Sequence, residues 1–478
     1  MLDRGLQQAF HPKSIAIVGI SRAEGKSPPG YTGLQFLRLL REANYEGRIY
    51  PVNAKADTIA GLKAYPNVQS IPEHVDYVIV TVPAAAVPTV LQDCVTAGAL
   101  DVLVCTAGFG ETGEEEGTRL DSVMHDIAIK GGLRLVGPNS LGYHVPSARM
   151  IMYAEAASTP GPVAFISQSG GLCQMYTMQG PAQGIAFSKV ISYGNALVMD
   201  STDFLEYLAT DQETGIICMY TEGVRDGAKL QRLVTQLVPS KPVVIWKAGL
   251  TPLGSRAAAT HTGSMAGDKQ VWDSFFNQTG AIRVNSIAEM IDVTMTFLRL
   301  KPLTRARVAM WGGGGGFTVT AGDVCTEEGL ELPVFSEQTR SKLMEFMQLV
   351  NQIIVNPIDG ASAFFDAAIL RRGLETIAAD PNIDIVLMYL PAALTKRKWA
   401  REAERTREVV SDLSHHPPSG KQVVVAIRDE GKFGDVDAFI RYLREADITT
   451  YHSLPRACRA LTRFAGYHKF IDQTATGT

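Results

Sequence analysis

One local plan occurs three times in this chain, at intervals of roughly 145 residues, about the length of one α/β domain. It appears as Ser14-Ile15-Ala16-Ile17-Val18-Gly19 followed by Ile20-Ser21. It returns as Gly161-Pro162-Val163-Ala164-Phe165-Ile166 running into Ser167-Gln168-Ser169-Gly170-Gly171, and again as Ala306-Arg307-Val308-Ala309-Met310-Trp311 running into Gly312 to Gly316. Each copy is a short apolar run, then a glycine- or serine-rich turn, then a helical pattern. A strand buried on both faces by helices reads as such a run, because neither face alternates with solvent. The turn that follows places the free N–H groups of a helix start at the carboxyl end of the strand, where open parallel sheets bind anions. The expected fold is therefore α/β, with three doubly wound parallel domains. The boundaries fall in turn-rich stretches and give residues 1–146, 147–302 and 303–478.

Composition excludes several functions. The 478 residues are too many for one core, and 46% hydrophobic with 20% charged residues describes an ordinary globular chain. A formal net charge of −4 leaves no electrostatic footprint for nucleic acid. No apolar stretch approaches the ~18 residues of a membrane span, so no membrane partner is expected. Met1 to Ser14 lacks a basic and then apolar leader pattern. The six cysteines show no CxxC or other metal spacing, which predicts free thiols, no metal site in this chain and a cytoplasmic location.

The first domain has a nucleotide-binding outline without a nicotinamide hook. After Gly19 the pattern is G-x-S-x-x-x-G, not GxGxxG. The second strand runs Gly47 to Asn53 and continues into Ala54-Lys55, where a dinucleotide fold places an acidic residue for the ribose hydroxyls. Asn53 and Lys55 suit a phosphorylated ribose or a pyrophosphate instead, and a dehydrogenase loses ground.

In the middle third, Thr260-His261-Thr262-Gly263-Ser264-Met265-Ala266-Gly267-Asp268 follows the apolar run Pro242-Val243-Val244-Ile245-Trp246-Lys247 and precedes a helical pattern carrying Val271, Phe275 and Phe276. This places His261 in a loop of small and hydroxyl residues, uncrowded and surrounded by donors for an anion, as a phosphoryl-accepting imidazole requires. An isolated histidine there more often merely caps the loop, and it is the rest of the chain that points to the phosphoryl role. Glu222, after Met219-Tyr220-Thr221, ends another strand. A carboxylate can hold the second nitrogen of a nucleophilic imidazole and stabilise the charge it gains.

Taken together, S-I-A-I-V-G-I-S, Y-P-V-N-A-K, T-A-G-F-G-E-T-G, G-P-N-S-L-G, S-Q-S-G-G-L, S-Y-G-N-A, Y-T-E-G-V-R-D-G and T-H-T-G-S-M-A-G, in this order, resemble the α subunit of NDP-forming acyl-CoA synthetases, relatives of succinyl-CoA synthetase, over nearly the whole chain. The resemblance implies a Rossmann-like CoA-binding domain followed by two flavodoxin-like ligase domains. It also implies interconversion of acyl-CoA, phosphate and NDP with a carboxylic acid, CoA and NTP through acyl phosphate and a phosphohistidine. His261 matches the phosphorylated histidine and Glu222 its orienting carboxylate. Ser167, Gln168, Ser169, Gly170, Gly171 and Gly263, with Gly314 and Gly315 from the five-glycine run, match phosphate-binding positions. Gly19, Ser21, Lys26, Pro51, Asn53, Lys55, Val82 and Pro83 match the nucleotide end of CoA. Gly108 and Phe109 match its thiol end, and Asn139 the vicinity of the reacting carbonyl. Ser140 stands where many relatives carry cysteine, either packing or shaping the acyl pocket. Asn356-Pro357-Ile358-Asp359 resembles an N-P-x-D element near the active site.

No segment resembles an ATP-grasp domain. The resemblance therefore implies a hetero-oligomer in which a separate ATP-grasp β subunit holds ADP or ATP with Mg2+. The other reading of the same pattern is a non-catalytic CoA-binding regulatory or scaffold protein that keeps the fold.

Overall fold

The computed structural model describes residues 2–20, 32–262, 267–347, 354–360 and 366–476, and the chain divides into two compact units, Met1–Ile291 and Asp292–Thr478. The first unit holds two large sheets. Its strands are β1 (Ser14–Val18), β2 (Arg48–Val52), the small hairpin β3 (Thr58–Ile59) and β4 (Leu62–Lys63), β5 (Tyr77–Val80), β6 (Asp101–Val104) and β7 (Arg134–Val136). They continue with β8 (Gly142–His144), β9 (Pro160–Ser167), β10 (Phe187–Ser192), β11 (Ile216–Thr221), β12 (Val243–Lys247) and β13 (Ile282–Val284).

The first sheet has the order β2-β1-β5-β6-β7, and every pair in it is parallel. All residues of β1, β5 and β6 are buried, as an apolar strand covered by helices on both faces must be. The chain order along the sheet reverses between β1 and β5, so the crevice expected at such a switch point opens where Gly19 and Thr81-Val82 leave their strands. Gly19 has φ +92°, and a Cβ there would lie 2.8 Å from both the side chain and the backbone nitrogen of Val82. Only glycine fits that close approach.

The second sheet repeats the winding as β13-β12-β11-β9-β10, and β8 adds antiparallel to β10 at the edge. The second sheet thus begins at Gly142, ahead of the boundary expected after residue 146. Its switch point lies between β9 and β11, which brings the turn after Ser167 beside the turn after Thr221.

The second unit carries β14 (Val308–Gly312), β15 (Ile358–Asp359), β16 (Ile385–Pro391), β17 (Gln422–Arg428) and β18 (Thr450–Tyr451). They form one parallel sheet in the order β15-β14-β16-β17-β18, the same winding a third time. Its core gathers Trp311, Met388, Leu390, Val425 and the inward faces of the helices Ala367–Ala378 and Ala400–His415. No helix among the described residues is long and apolar enough to cross a membrane. The six cysteines are free.

Candidate active site

The carboxyl ends of β9, β11 and β12 build the centre of the second sheet. β9 ends at Ser167, and the next turn is braced by that serine, whose hydroxyl accepts from Ser169 N–H at 3.0 Å and donates to the Ser169 carbonyl at 2.9 Å. Ser169 caps the helix Gly170–Gln179 by accepting from Leu172 N–H at 3.3 Å. The first N–H groups of that helix, at Gly170 and Gly171, belong to the orphan donors of a helix start. They open on a cavity of about 250 Å³ lined also by Cys105, Asn139, Ser140, Gln168 and Asn195. The cavity thus joins residues of the first sheet to the helix start of the second.

Gln168 does not face that cavity with its carbonyl. Its Oε1 accepts from Glu222 N–H at 2.5 Å, Gly223 N–H at 3.1 Å and the Thr221 hydroxyl at 3.2 Å, across the switch point. Gln168 lines the cavity, as a phosphate-binding position would, while its side-chain oxygen fastens the Glu222 turn. Ser167 is likewise fully buried, and its hydroxyl is spent within its own turn.

Glu222 is 5% exposed. Its Oε1 accepts from the Tyr220 hydroxyl at 3.1 Å, and its backbone carbonyl accepts from Lys247 Nζ at 2.8 Å. Burial beside this carboxylate lowers Lys247 to about 8, the loss of solvation outweighing the attraction of Glu222.

His261 is not in a loop. It lies in the last turn of the helix Pro252–Thr262, which starts shortly after β12. Thr251 opens the helix by accepting from Gly254 N–H at 3.1 Å, Pro252 needs no N–H partner at that position, and Arg256 to Ala259 are good helix formers. The side chain of His261 and all of Gly263 lie outside the described residues. The next helix, Lys269–Thr279, begins as expected after Asp268, which accepts from Gln270 N–H at 2.6 Å.

The helix carrying His261 packs on the short turn Gly110–Thr112 of the first sheet. That turn is organised by Glu111, whose carboxylate accepts from Gly108 N–H at 2.7 Å, Phe109 N–H at 3.2 Å and Asn195 Nδ2 at 2.7 Å. The Asn195 Oδ1 is buried with no hydrogen-bond partner among the described residues, and Asn195 lines the cavity. Asn139 has φ +54° and donates its N–H to the Thr106 carbonyl at 2.9 Å, so its turn is tied to the end of the neighbouring strand.

Of the positions matched to CoA, Gly19, Val82, Pro83 and Gly108 lie at the carboxyl ends of β1, β5 and β6. Asn53 is engaged at both ends of its amide: Nδ2 donates to the Ile20 carbonyl at 2.7 Å and Oδ1 accepts from Lys55 N–H at 2.8 Å. It ties two loops of the crevice rather than presenting a free amide. Lys55 is exposed, and Pro51 is buried inside the edge strand β2, where a missing N–H is tolerated. Ser21 and Lys26 lie outside the described residues. Phe109 is 0% exposed and packs in the core of the first sheet against residues such as Leu120 and Met124. Its side chain is core, which corrects the expectation of contact with CoA. Ser140 donates to the Ser192 carbonyl at 2.7 Å and accepts from Gly142 N–H at 3.1 Å, so its hydroxyl joins the two sheets while the residue also lines the cavity.

In the second unit, only Gly314 of the five consecutive glycines takes a left-handed conformation, φ +84°, at the N-cap of the helix Gly315–Glu327. Gly314 N–H donates to Asp359 Oδ1 at 2.9 Å, and Gly315 opens the helix. Asn356 of the same N-P-x-D element straddles β14, donating to the Val308 carbonyl at 2.7 Å and accepting from Met310 N–H at 2.9 Å. Arg428 donates to the Gly313 carbonyl at 3.1 Å and stacks 3.9 Å from the Phe317 ring centroid. Among the described residues no group of metal ligands gathers.

Residues 13–146 match the model of a CoA binding domain, and residues 160–297 that of a succinyl-CoA ligase like flavodoxin domain. The α subunit of acetate–CoA ligase [ADP-forming] I from Pyrococcus furiosus is 32% identical over 478 residues, covering 97% of this chain and 98% of the relative. The chain belongs to the ADP-forming acetate–CoA ligase family. Another member of the family, acetate–CoA ligase [ADP-forming] I of Archaeoglobus fulgidus, is 35% identical over 97% of this chain, which spans 64% of that relative's length. The dinucleotide forming acetyl-coenzyme A synthetase 1 of Ca. Korarchaeum cryptofilum, solved in complex with phosphate and ADP, has a TM-score of 0.82 with 28% identity. That match covers 100% of this chain and 99% of the other. The segments matched by the two models carry the first and second sheets, and they meet at the cavity lined by Asn139, Ser140 and Asn195. Glu111, Asn195 and Lys247 were not singled out from the sequence. The first two stand within the T-A-G-F-G-E-T-G and S-Y-G-N-A motifs, and a lysine ending an otherwise apolar strand was the available signal for the third.

Proposed function

We propose that this chain is the α-type half of an ADP-forming acid–CoA ligase that works through a phosphohistidine at His261. The observation that carries the proposal is the position of its helix: it leaves β12 beside the clamped Glu222 and packs on the Gly110–Thr112 turn of the CoA-binding domain. Phosphate oxygen attacks the thioester carbonyl, the C–S bond breaks, and CoA leaves as thiolate with formation of acyl phosphate. A neutral imidazole nitrogen of His261 then attacks phosphorus, the P–O bond to the acyl group breaks, and the carboxylic acid departs as carboxylate. Finally the N–P bond breaks as a terminal oxygen of ADP accepts the phosphoryl group. Glu222 supplies a carboxylate for the other ring nitrogen, fixing the tautomer and offsetting the positive charge. The N–H groups of Gly170 and Gly171 and the positive end of their helix stabilise the phosphoryl oxygens.

CoA binds across the crevice between β1 and β5. The backbone at Gly19 approaches Val82 so closely that a Cβ would fill the space, which fits a crevice built for a phosphate-bearing ligand. ADP and Mg2+ are held by an ATP-grasp β subunit. The match to nearly all of an α subunit, and to only 64% of the Archaeoglobus fulgidus relative, supports a nucleotide site outside these 478 residues. The fact that the relatives are ligases favours turnover over a scaffold role.

The test is reconstitution. The chain alone, given CoA, acetate, ATP and Mg2+, should form no acetyl-CoA. The chain with an ATP-grasp β subunit of a relative should form the thioester, and His261→Ala should not. Thioester formation by the isolated chain, or by the His261→Ala pair, contradicts the proposal.

A further inference from the structure

Lys247 is the last residue of β12, and it is only 5% exposed. A buried ammonium needs compensating partners, because desolvating it costs several kcal/mol. Here Nζ donates to the Glu222 carbonyl at 2.8 Å and to the Ala248 carbonyl, and it sits 5.2 Å from the Trp272 ring centroid. The three contacts come from three places: the end of β11, the exit of β12, and the helix that follows the His261 segment. Lys247 therefore stands at the root of that segment, between the strand leading into it and the helix leading out.

Glu222 is gripped at its N–H, its carbonyl and one carboxylate oxygen. Gln168 holds its N–H, the Tyr220 hydroxyl meets its Oε1, and Lys247 holds its carbonyl. Gln168 also accepts the Gly223 N–H at 3.1 Å, so the peptide plane after Glu222 is held at both edges, at its N–H by Gln168 and at its carbonyl by Lys247. Rotation of that plane would swing the Cα–Cβ bond and with it the carboxylate. A shell of this kind keeps a reacting group within a few tenths of an ångström of its working position.

We infer that Lys247 is a positioning residue, which holds the Glu222 backbone carbonyl and so fixes the carboxylate that works on His261. The inference rests on the phosphohistidine function proposed above. Removing the ammonium takes away the hold on the carbonyl edge of that peptide while Gln168 keeps its N–H edge, and an effect that passes through Glu222 is what the inference predicts. A lysine that only stabilised the fold would act independently of it.

The experiment is a double-mutant cycle on the chain with its ATP-grasp partner, reading the rate of acid-labile 32P incorporation from γ-labelled ATP and the KM for CoA. Lys247→Met should slow labelling about tenfold and leave the KM for CoA within about twofold. In a Glu222→Gln background the same change should cost less than about twofold. An equal cost in both backgrounds, or no cost in the wild-type background, overturns the inference. Should Lys247→Met not fold, the cycle is run with Lys247→Arg, which keeps the cation and shifts the donors. Absence of label from the wild-type pair would instead overturn the function on which the inference rests.

Discussion

Gln168 holds Glu222 by the backbone: its side-chain oxygen accepts the Glu222 N–H at 2.5 Å and the Gly223 N–H at 3.1 Å across the switch point of the second sheet. The two residues lie far apart in sequence and meet because β9 and β11 are neighbours. Gln168→Leu strands two buried donors, which should cost on the order of 2–3 kcal/mol of stability. It should also slow phosphorylation at least about tenfold by loosening the carboxylate. Thermal unfolding and 32P incorporation, measured on one preparation, check both effects.

Phe109 separates packing from ligand contact. Its ring is wholly buried in the core of the first sheet, so Phe109→Ala should lower stability by about 3–5 kcal/mol. At a temperature where the variant remains folded, the KM for CoA should stay within about threefold of wild type. A large rise in KM with an unchanged unfolding temperature would return the ring to the CoA site.

The winding of all three sheets was legible because parallel strands covered on both faces cannot hide their apolar runs. Ser14–Val18, residues 163–167 and Val308–Gly312 are buried from end to end. The helix Pro252–Thr262 was not legible, since its small and hydroxyl residues give it little amphipathic period, and small-residue composition also describes a loop. Motif matches located the turns correctly but not the direction of each side chain within them. Phe109 turns inward to the core while its neighbour Gly108 stays at the crevice, and Gln168 points across to β11 while Gly170 and Gly171 face the cavity. Such choices are made by tertiary packing, which local sequence does not encode. The contacts of Lys247 with Glu222 and Trp272 are of the same kind.

His144 predicts the acid response of the first unit. Its Nε2 is 3.1 Å from the Ala157 carbonyl, so that nitrogen carries the proton, while the buried Nδ1 has no partner among the described residues. Burial lowers its pKa from 6.5 to about 4, only partly opposed by the carbonyl. Between those values the unfolded chain binds more protons than the folded one, so stability falls as pH drops from 6.5 towards 4 and this group adds no further loss below that. The contribution is on the order of 3 kcal/mol at most. His144→Phe should flatten the unfolding temperature against pH within that window and leave the slope above pH 7 unchanged.

The most direct measurement is the site of phosphorylation. The chain is incubated with an ATP-grasp β subunit, γ-labelled ATP and Mg2+, then digested under alkaline conditions that preserve phosphohistidine, and the labelled peptide is sequenced by mass spectrometry. The phosphoryl group should lie on His261, be absent from His261→Asn, and be discharged by ADP, or by acetate together with CoA. Label on another residue, or ligation that proceeds in His261→Asn at the wild-type rate, would contradict the account.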